Sequence, residues 1–145
     1  MKDSTASRQK KKDTLRSITI IQAKRAQVTD DTMHIIDQEE TNNVALIGVV
    51  HSITKNAMHT TFVIDDGTGL IAVRKVFTVF TEDNIRPGIY VQVYGRLRSF
   101  NRQNIQVVAD EVSVIQDFNQ VTYHLLDCIH THLSKKRVGP GVIFF

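Results

Sequence analysis

The sequence predicts an all-β protein that ends in a helix: a five-stranded antiparallel barrel followed by one amphipathic helix. Short β-branched segments recur every ten to fifteen residues between positions 43 and 115, with turn residues between them. None of the intervening segments is long enough to be the crossover helix of a parallel β-α-β unit. After residue 117 the apolar residues recur at intervals of three and four, which is typical of a helix.

The N-terminal part of the chain predicts a tail and a covering segment. Residues 1–14 are polar, basic and poor in large apolar side chains, so we expect a disordered tail. The apolar residues Ile18, Ile20 and Ile21 predict a strap over one end of the barrel, and residues 33–36 predict a further short strand. The barrel with its strap is therefore expected to span residues 15–116.

The first three barrel strands are predicted at residues 43–53, 59–65 and 70–77. The first is a continuous β-branched run, as expected for a strand buried on both sides, and Gly48 within it suggests a bend or bulge. The sequence DDGTG at 65–69 predicts a tight hairpin between the second and third strands, because Asp-Gly supplies positive φ angles. A loop is expected at residues 78–88.

The fourth strand, IYVQVYGRLRSF at residues 89–100, alternates with a period of two. One face is apolar, while the other carries aromatic and basic side chains, among them Tyr94, Arg96, Arg98 and Phe100. A fifth strand at 104–115 completes the set. Five strands in this space favour a small barrel of the OB-fold type over a sandwich.

The helix predicted within residues 117–137 is expected to dock onto partner subunits. Asp117 or Asn119 can cap its start. Its apolar face is too wide to be covered by one edge of a small barrel, so we expect it to pack against helices of other chains. The predicted interface residues are Phe118, Val121, Leu125, Cys128, Ile129 and His132. For the short tail at 138–145, a frayed terminus is favoured over an apolar docking segment.

The basic residues of the body are few and clustered. Residues 26–134 carry seven basic and thirteen acidic residues, so this part is not a general binder of polyanions. Five of the seven basic residues accompany aromatic residues on two strands and a turn. Binding of a single-stranded nucleic acid needs both cations that contact phosphates and aromatic rings on which bases stack. The predicted nucleic-acid-binding residues are Arg74, Lys75, Tyr94, Arg96, Arg98, Phe100 and Arg102. The alternative is a solvated face on a barrel that binds only protein.

Several other classes of protein are disfavoured. The acidic pairs have no histidine or nucleophile around them and no phosphate-binding glycine loop occurs, so we expect neither an enzyme nor a cofactor. His124, Cys128 and His132 share one helical face, but a cysteine in an apolar helix seam is favoured over a metal site. No stretch approaches the roughly 20 apolar residues that span a bilayer. The N-terminus lacks the apolar core of a secretory signal, and the single cysteine suits an intracellular compartment.

The segments VALIGVV, FVIDDGTG, IAVRKVF and YVQVYGRLRSF, followed by an amphipathic helix, resemble the middle subunit of eukaryotic replication protein A in order and spacing. The resemblance covers residues 15–136. It implies an OB fold that binds single-stranded DNA within a heterotrimer, and a terminal helix that bundles with the large and small subunits. It also implies a nuclear role in DNA replication, repair and recombination. Of the family's site residues, Arg74, Arg98 and Phe100 transfer to this sequence.

Three departures from the family pattern qualify that expectation. The family's stacking tryptophan falls on Val76, and the chain contains no tryptophan, so we expect weak DNA contact and a main role in trimer assembly. The alternative is a structural adaptor, including one in a telomere-associated complex of the same architecture, with little direct DNA contact. The family's longer phosphorylated N-terminal tail and its C-terminal winged-helix domain are not expected, because few hydroxyl residues precede the barrel and the sequence ends at VGPGVIFF.

Overall fold

The computed structural model describes residues 14–76 and 84–136. Within these ranges the chain forms nine strands and two helices. In chain order they are β1 (Leu15–Ser17), α1 (Ile20–Lys24), β2 (Gln27–Asp30), β3 (Met33–Ile36), β4 (Glu39–Thr41), β5 (Asn43–Lys55), β6 (His59–Asp65), β7 (Leu70–Val76), β8 (Tyr90–Phe100), β9 (Gln103–Val114) and α2 (Asn119–Lys136). Residues 1–13 of the predicted tail, the predicted loop up to residue 83, Phe77 and the predicted tail at 138–145 lie outside the described residues.

Five strands close a barrel in the order β5-β6-β7-β9-β8, and β8 pairs with β5 to complete it. The predicted fold class is confirmed, and each predicted barrel strand agrees with the structure to within two residues at its described ends. One pairing differs from the prediction, because β7 and β9 run parallel. Strand directions cannot alternate all the way around a ring of five strands, so with the other four pairs antiparallel the β7–β9 pair must be parallel. β2, β3 and β4 form a separate three-stranded sheet.

The predicted strap enters the core. β1 runs parallel to β5, and Ile18 and Ile20 after it are fully buried. The β6–β7 hairpin holds the start of α1: a carboxylate oxygen of Asp66 accepts from the Ile20 N–H at 2.8 Å, and the Thr68 hydroxyl accepts from the Ile21 N–H at 3.0 Å. These bonds satisfy N–H groups that a helix start leaves without partners. The hairpin predicted from DDGTG therefore also anchors the strap.

A β-bulge between β8 and β9 depends on Gly95. A Cβ atom at this position would lie 2.5 Å from the Val108 carbonyl oxygen, which no side chain tolerates. Tyr94 pairs with Glu111 and Gly95 with Ala109, so Asp110 is the extra residue of the bulge. The bend predicted at Gly48 is not at that residue. The register of β5 shifts between Val50 and Ser52, while Gly48 allows a close approach to β6.

α2 begins as predicted with Asp117 as its cap, whose carboxylate accepts from the Asn119 N–H at 2.9 Å. It lies along the barrel with His124 and Cys128 buried. The His124 ring donates to the Ile18 carbonyl oxygen at 3.3 Å. Near the other end of the helix, Asp37 accepts from both Arg16 and His132. Within the described ranges, no helix is long and apolar enough to cross a membrane.

Candidate nucleic-acid interface

The centre of the site is a contact between Arg74 and Phe100. Val73 is buried, so Arg74 and Val76 project from the outer face of β7, and Phe100 ends β8 with 44% of its surface exposed. The Arg74 guanidinium carbon lies 5.7 Å from the centroid of the Phe100 ring, within cation–π range. The fold thus brings together a cation and a ring that are 26 positions apart in the sequence. A phosphate and its neighbouring base could be bound side by side here.

The β8–β9 bulge places an acidic residue among the predicted cations. Arg96 lies 3.5 Å from a carboxylate oxygen of Asp110, and the Lys75 ammonium group donates to the Asp110 carbonyl oxygen at 3.4 Å. Both members of the Arg96–Asp110 pair are exposed to solvent, so the pair is weak. Lys75 and Arg96 are therefore within reach of a ligand, but one negative charge opposes them. The alternation of β8 alone could not predict that Asp110 lies beside these cations, since the position of Asp110 follows from the bulge.

Arg98 lies in a more enclosed position on β8. Its guanidinium donates to the Leu97 carbonyl oxygen at 2.9 Å. Partial burial lowers the pKa of Arg98, and the nearby charge of Arg96 lowers it further. Burial, followed by the charge on Arg98, also lowers the pKa of His34, so this fully buried ring favours its neutral form. An approaching phosphate would relieve the repulsion between the two arginines.

The turn that carries Arg102 is held by a residue that the sequence patterns did not identify. Asn101 and Arg102 both have positive φ angles. The Asp31 carboxylate accepts from the Arg102 N–H at 2.7 Å and from the Asn101 N–H at 3.3 Å, and the Asp31 carbonyl oxygen accepts from the Ser99 N–H at 3.1 Å. An aspartate in a short turn is ordinary in sequence, and nothing local indicates that it binds a turn some 70 residues later.

Tyr94 is not part of this cluster. It lines a separate groove of about 430 Å³ beside the first turns of α2, together with Gln92, Asn119 and Tyr123. The first turn of α2 borders this groove, and near the same end of β8 Tyr90 makes an edge-on contact with Phe118 at 5.3 Å. The structure therefore divides the predicted polar face of β8 into a half beside the helix and a basic half at Arg96–Phe100.

The predicted assembly face of α2 is shifted around the helix. Cys128 is only 3% exposed and faces the chain's own barrel, and His132 binds Asp37. These two residues lie, with the half-buried Val121, on the side of α2 that faces the barrel. Burial raises the pKa of the Cys128 thiol to about 12, which makes it inert. The exposed aliphatic residues of α2, together with Phe118 just before it, form a stripe on another side: Phe118, Leu125, Leu126, Ile129 and Leu133.

The histidines of α2 do not converge with Cys128 on a common centre. The Cys128 sulfur lies 3.4 Å from the His124 ring, whereas His132 is held by Asp37. Among the described residues, no group of three or more histidine, cysteine or acidic side chains is arranged to hold a metal ion.

Comparison of the sequence with known proteins gives a consistent result. The family model of the OB-fold nucleic acid binding domain matches residues 44–115. Replication factor A protein 2 of Schizosaccharomyces pombe is 35% identical over 120 residues, which cover 82% of this chain and 43% of the relative. The chain thus spans less than half the length of this curated relative.

Comparison of the structure extends this result. A chain of a replication protein A heterotrimer bound to ssDNA matches with a TM-score of 0.78 and 33% identity, covering 86% of this chain and 100% of the other. A chain of the S. pombe Stn1-Ten1 complex matches with a TM-score of 0.74 at 14% identity, covering 84% of this chain and 93% of the other. The second likeness shows a shared fold alone.

Proposed function

Because this chain belongs to the family of the middle subunit of replication protein A, whose relatives include 32 kDa subunits of Oryza sativa, we propose that it is the middle subunit of a heterotrimer that binds single-stranded DNA. Its role is assembly and sequence-independent contact rather than catalysis. We assign it to the nucleus and to DNA replication, repair and recombination, where single strands are exposed. The partners are a large and a small subunit of the same kind of complex.

The observation that carries the DNA contact is Arg74 beside the exposed ring of Phe100. Cations that follow the phosphate backbone supply most of the affinity for a single strand, and each base stacked on an aromatic ring adds about 1–3 kcal/mol. Arg96 and Arg98 lie on the same face of β8, and Lys75 adds a further cation. The cluster reads no base edge in this mechanism, so binding is independent of sequence.

The assembly surface is the exposed stripe of α2. Its five large apolar side chains are each between 39% and 65% exposed, and they follow one another along one side of the helix. A continuous apolar face of this kind is normally covered by another helix. The inner side of α2 is already held by the barrel, which leaves the stripe free for the two partner subunits.

A second candidate is a structural adaptor whose barrel binds mainly protein. Two observations favour it: Val76 occupies the position of the family's stacking tryptophan, and Asp110 opposes the cation cluster. The chain of the Stn1-Ten1 complex has the same fold, so the architecture is compatible with more than one complex.

The two candidates are separated by a double variant, Arg98→Ala with Phe100→Ala, measured in the assembled heterotrimer. Loss of one stacked base predicts a decrease in affinity for oligothymidine of at least about fivefold. Loss of one phosphate contact lowers the slope of log affinity against log salt by about 0.7. Arg86→Ala, an exposed arginine outside the cluster, is the control. Unchanged affinity and slope in the double variant would leave the adaptor as the function.

A further inference from the structure

A groove of about 670 Å³ lies where the end of α1, the β3–β4 turn and the last turn of α2 come together. Residues 21–22 and 25–27 line it from α1 and the start of β2, and residues 35–38 line it from β3 and the turn after it. The last turn of α2 contributes His132, Lys135 and Lys136. The volume is in the range of ligand-binding pockets. The groove shares no described residue with the Arg74–Phe100 site.

The charged side chains of the groove are mainly cations. Arg25 and Lys136 are exposed, and neither has an ion-pair partner among the described residues. Lys135 binds Glu39 at 2.9 Å, but both side chains are more than a third exposed, so this pair is weak. A negatively charged occupant would therefore meet two unpaired cations and a third that is only weakly paired.

The acidic residue of the groove is already neutralised by contacts that also fix the shape of the groove. Asp37 is the one acidic residue among the described lining residues. Its carboxylate accepts from Arg16 and, at 2.9 Å, from His132, which joins β1, the β3–β4 turn and α2. Asp37 and Gln38 have positive φ angles, which residues other than glycine rarely adopt without support. The groove is thus formed before any occupant arrives, which lowers the cost of binding.

The uncharged part of the lining indicates the class of occupant. Ile21 and Ile35 are half-buried, Ile36 is buried, and the exposed amides of Gln27 and Gln38 can exchange hydrogen bonds with a peptide backbone. None of the described lining residues is aromatic, whereas a single-stranded nucleic acid is bound on aromatic rings. Aliphatic side chains beside unpaired cations instead complement a polypeptide that carries both aliphatic and acidic residues.

The groove adjoins the assembly stripe of α2 without being part of it. None of the five stripe residues is among the described residues that line the groove. Lys136 follows His132 by four positions and Leu133 by three, so on the helix surface it is a neighbour of both. The groove is therefore a second surface, on the side of α2 that faces the barrel.

We propose that this groove is a docking site for a short acidic peptide segment of a partner protein. Arg25 and Lys136 pair with its carboxylates, and its aliphatic side chains pack on Ile21 and Ile35. The site adds a protein-recruiting surface to the chain, and it depends neither on the contact with single-stranded DNA nor on the stripe of α2.

The test uses the full chain and a fluorescein-labelled peptide in which glutamate alternates with leucine. Binding is measured by fluorescence anisotropy. The double variant Arg25→Ala, Lys136→Ala should bind the peptide about fivefold more weakly, because two exposed charge pairs are lost. The control is Lys24→Ala with Arg86→Ala, which removes two exposed positive charges outside the groove and should change the affinity less than about twofold. All four residues are exposed, so both variants should fold normally.

Several outcomes would overturn the proposal. One is the absence of binding to the original chain, and another is an equal loss in the two double variants, which would mean that only net charge matters. Equally tight binding of a peptide with glutamine in place of glutamate would show that acidity is not recognised. Displacement of the peptide by oligothymidine would assign the groove to nucleic acid instead.

Nuclear magnetic resonance locates the bound peptide independently of any variant. The backbone amide signals of Gln22, Gln27 and Gln38 should shift on titration with the peptide, while those of Leu126 and Ile129 on the stripe should not. Shifts confined to the stripe would show that the peptide adheres to the apolar side of α2, and the proposal would fail.

Discussion

A tryptophan at position 76 should increase the affinity for single-stranded DNA. Val76 is 60% exposed and pairs with His59 at the end of the β6–β7 ladder. Its side chain projects from the same face of β7 as Arg74, about 7 Å along the strand. A ring here would therefore stand beside the cation that already contacts Phe100. Because the position is exposed, Val76→Trp should change the free energy of unfolding by less than about 0.5 kcal/mol.

The magnitude follows from one additional stacked base. Stacking on an aromatic side chain contributes about 1–3 kcal/mol per base. Since each 1.4 kcal/mol is a factor of ten, the expected gain in affinity lies between about 5-fold and about 150-fold. Val76→Leu is the control, because it adds apolar bulk without a π face and should leave the affinity within about twofold of the original.

The chain contains no tryptophan, so the Val76→Trp variant carries its own probe. Stacking of a base on the introduced indole ring should quench the fluorescence of that ring, and a titration with oligothymidine measures the same affinity as anisotropy. A gain of the same size in Val76→Leu would show that bulk alone is responsible. Unquenched fluorescence with unchanged affinity would refute the assignment of the β7 outer face to DNA.

Two further predictions concern the assembly stripe and the acidic residue in the cluster. Ile129→Asp should reduce heterotrimer formation at least tenfold, because it replaces an apolar contact worth about 1.5–3 kcal/mol with a charge; co-purification and light scattering measure it. Gln120→Asp is the control and should assemble normally. Residue 120 lies nine positions before Ile129, which at about 100° per residue places it on the opposite side of α2. Asp110→Asn should tighten DNA binding about two- to fivefold at low salt, since an exposed ion pair is worth at most about 1 kcal/mol. Glu111→Gln makes the same change in charge outside the cluster, and an equal gain there would contradict a specific role for Asp110.

Sequence patterns were sufficient to predict the barrel and the helix. The alternation of β8 and the continuous apolar run of β5 are local properties of the chain, because side chains of a strand alternate between faces whatever their partner. The DDGTG hairpin and the Asp117 cap are likewise local, since both depend on residues within a few positions of each other. These elements leave little choice of architecture.

Only part of the candidate site could be predicted from the sequence. Arg74, Arg98 and Phe100 follow from the alternation and from the family motif, but their neighbours do not. Asp110 reaches the cluster because β9 bulges opposite Gly95, and that bulge is a property of two strands together. Tyr94 has the same spacing as Arg96 and Arg98 along β8, yet it lines a separate groove with residues from the first turns of α2.

Contacts between distant segments belong to the folded chain alone. Asp31 orders a turn 71 positions later, at the end of β8, and Asp37 binds His132 of α2, 95 positions later. The rotation of α2 about its axis, which turns Cys128 inward and Ile129 outward, depends on such contacts and not on the helical repeat. Periodicity establishes that a helix has an apolar side. Which part of that side remains for a partner depends on what the barrel covers first.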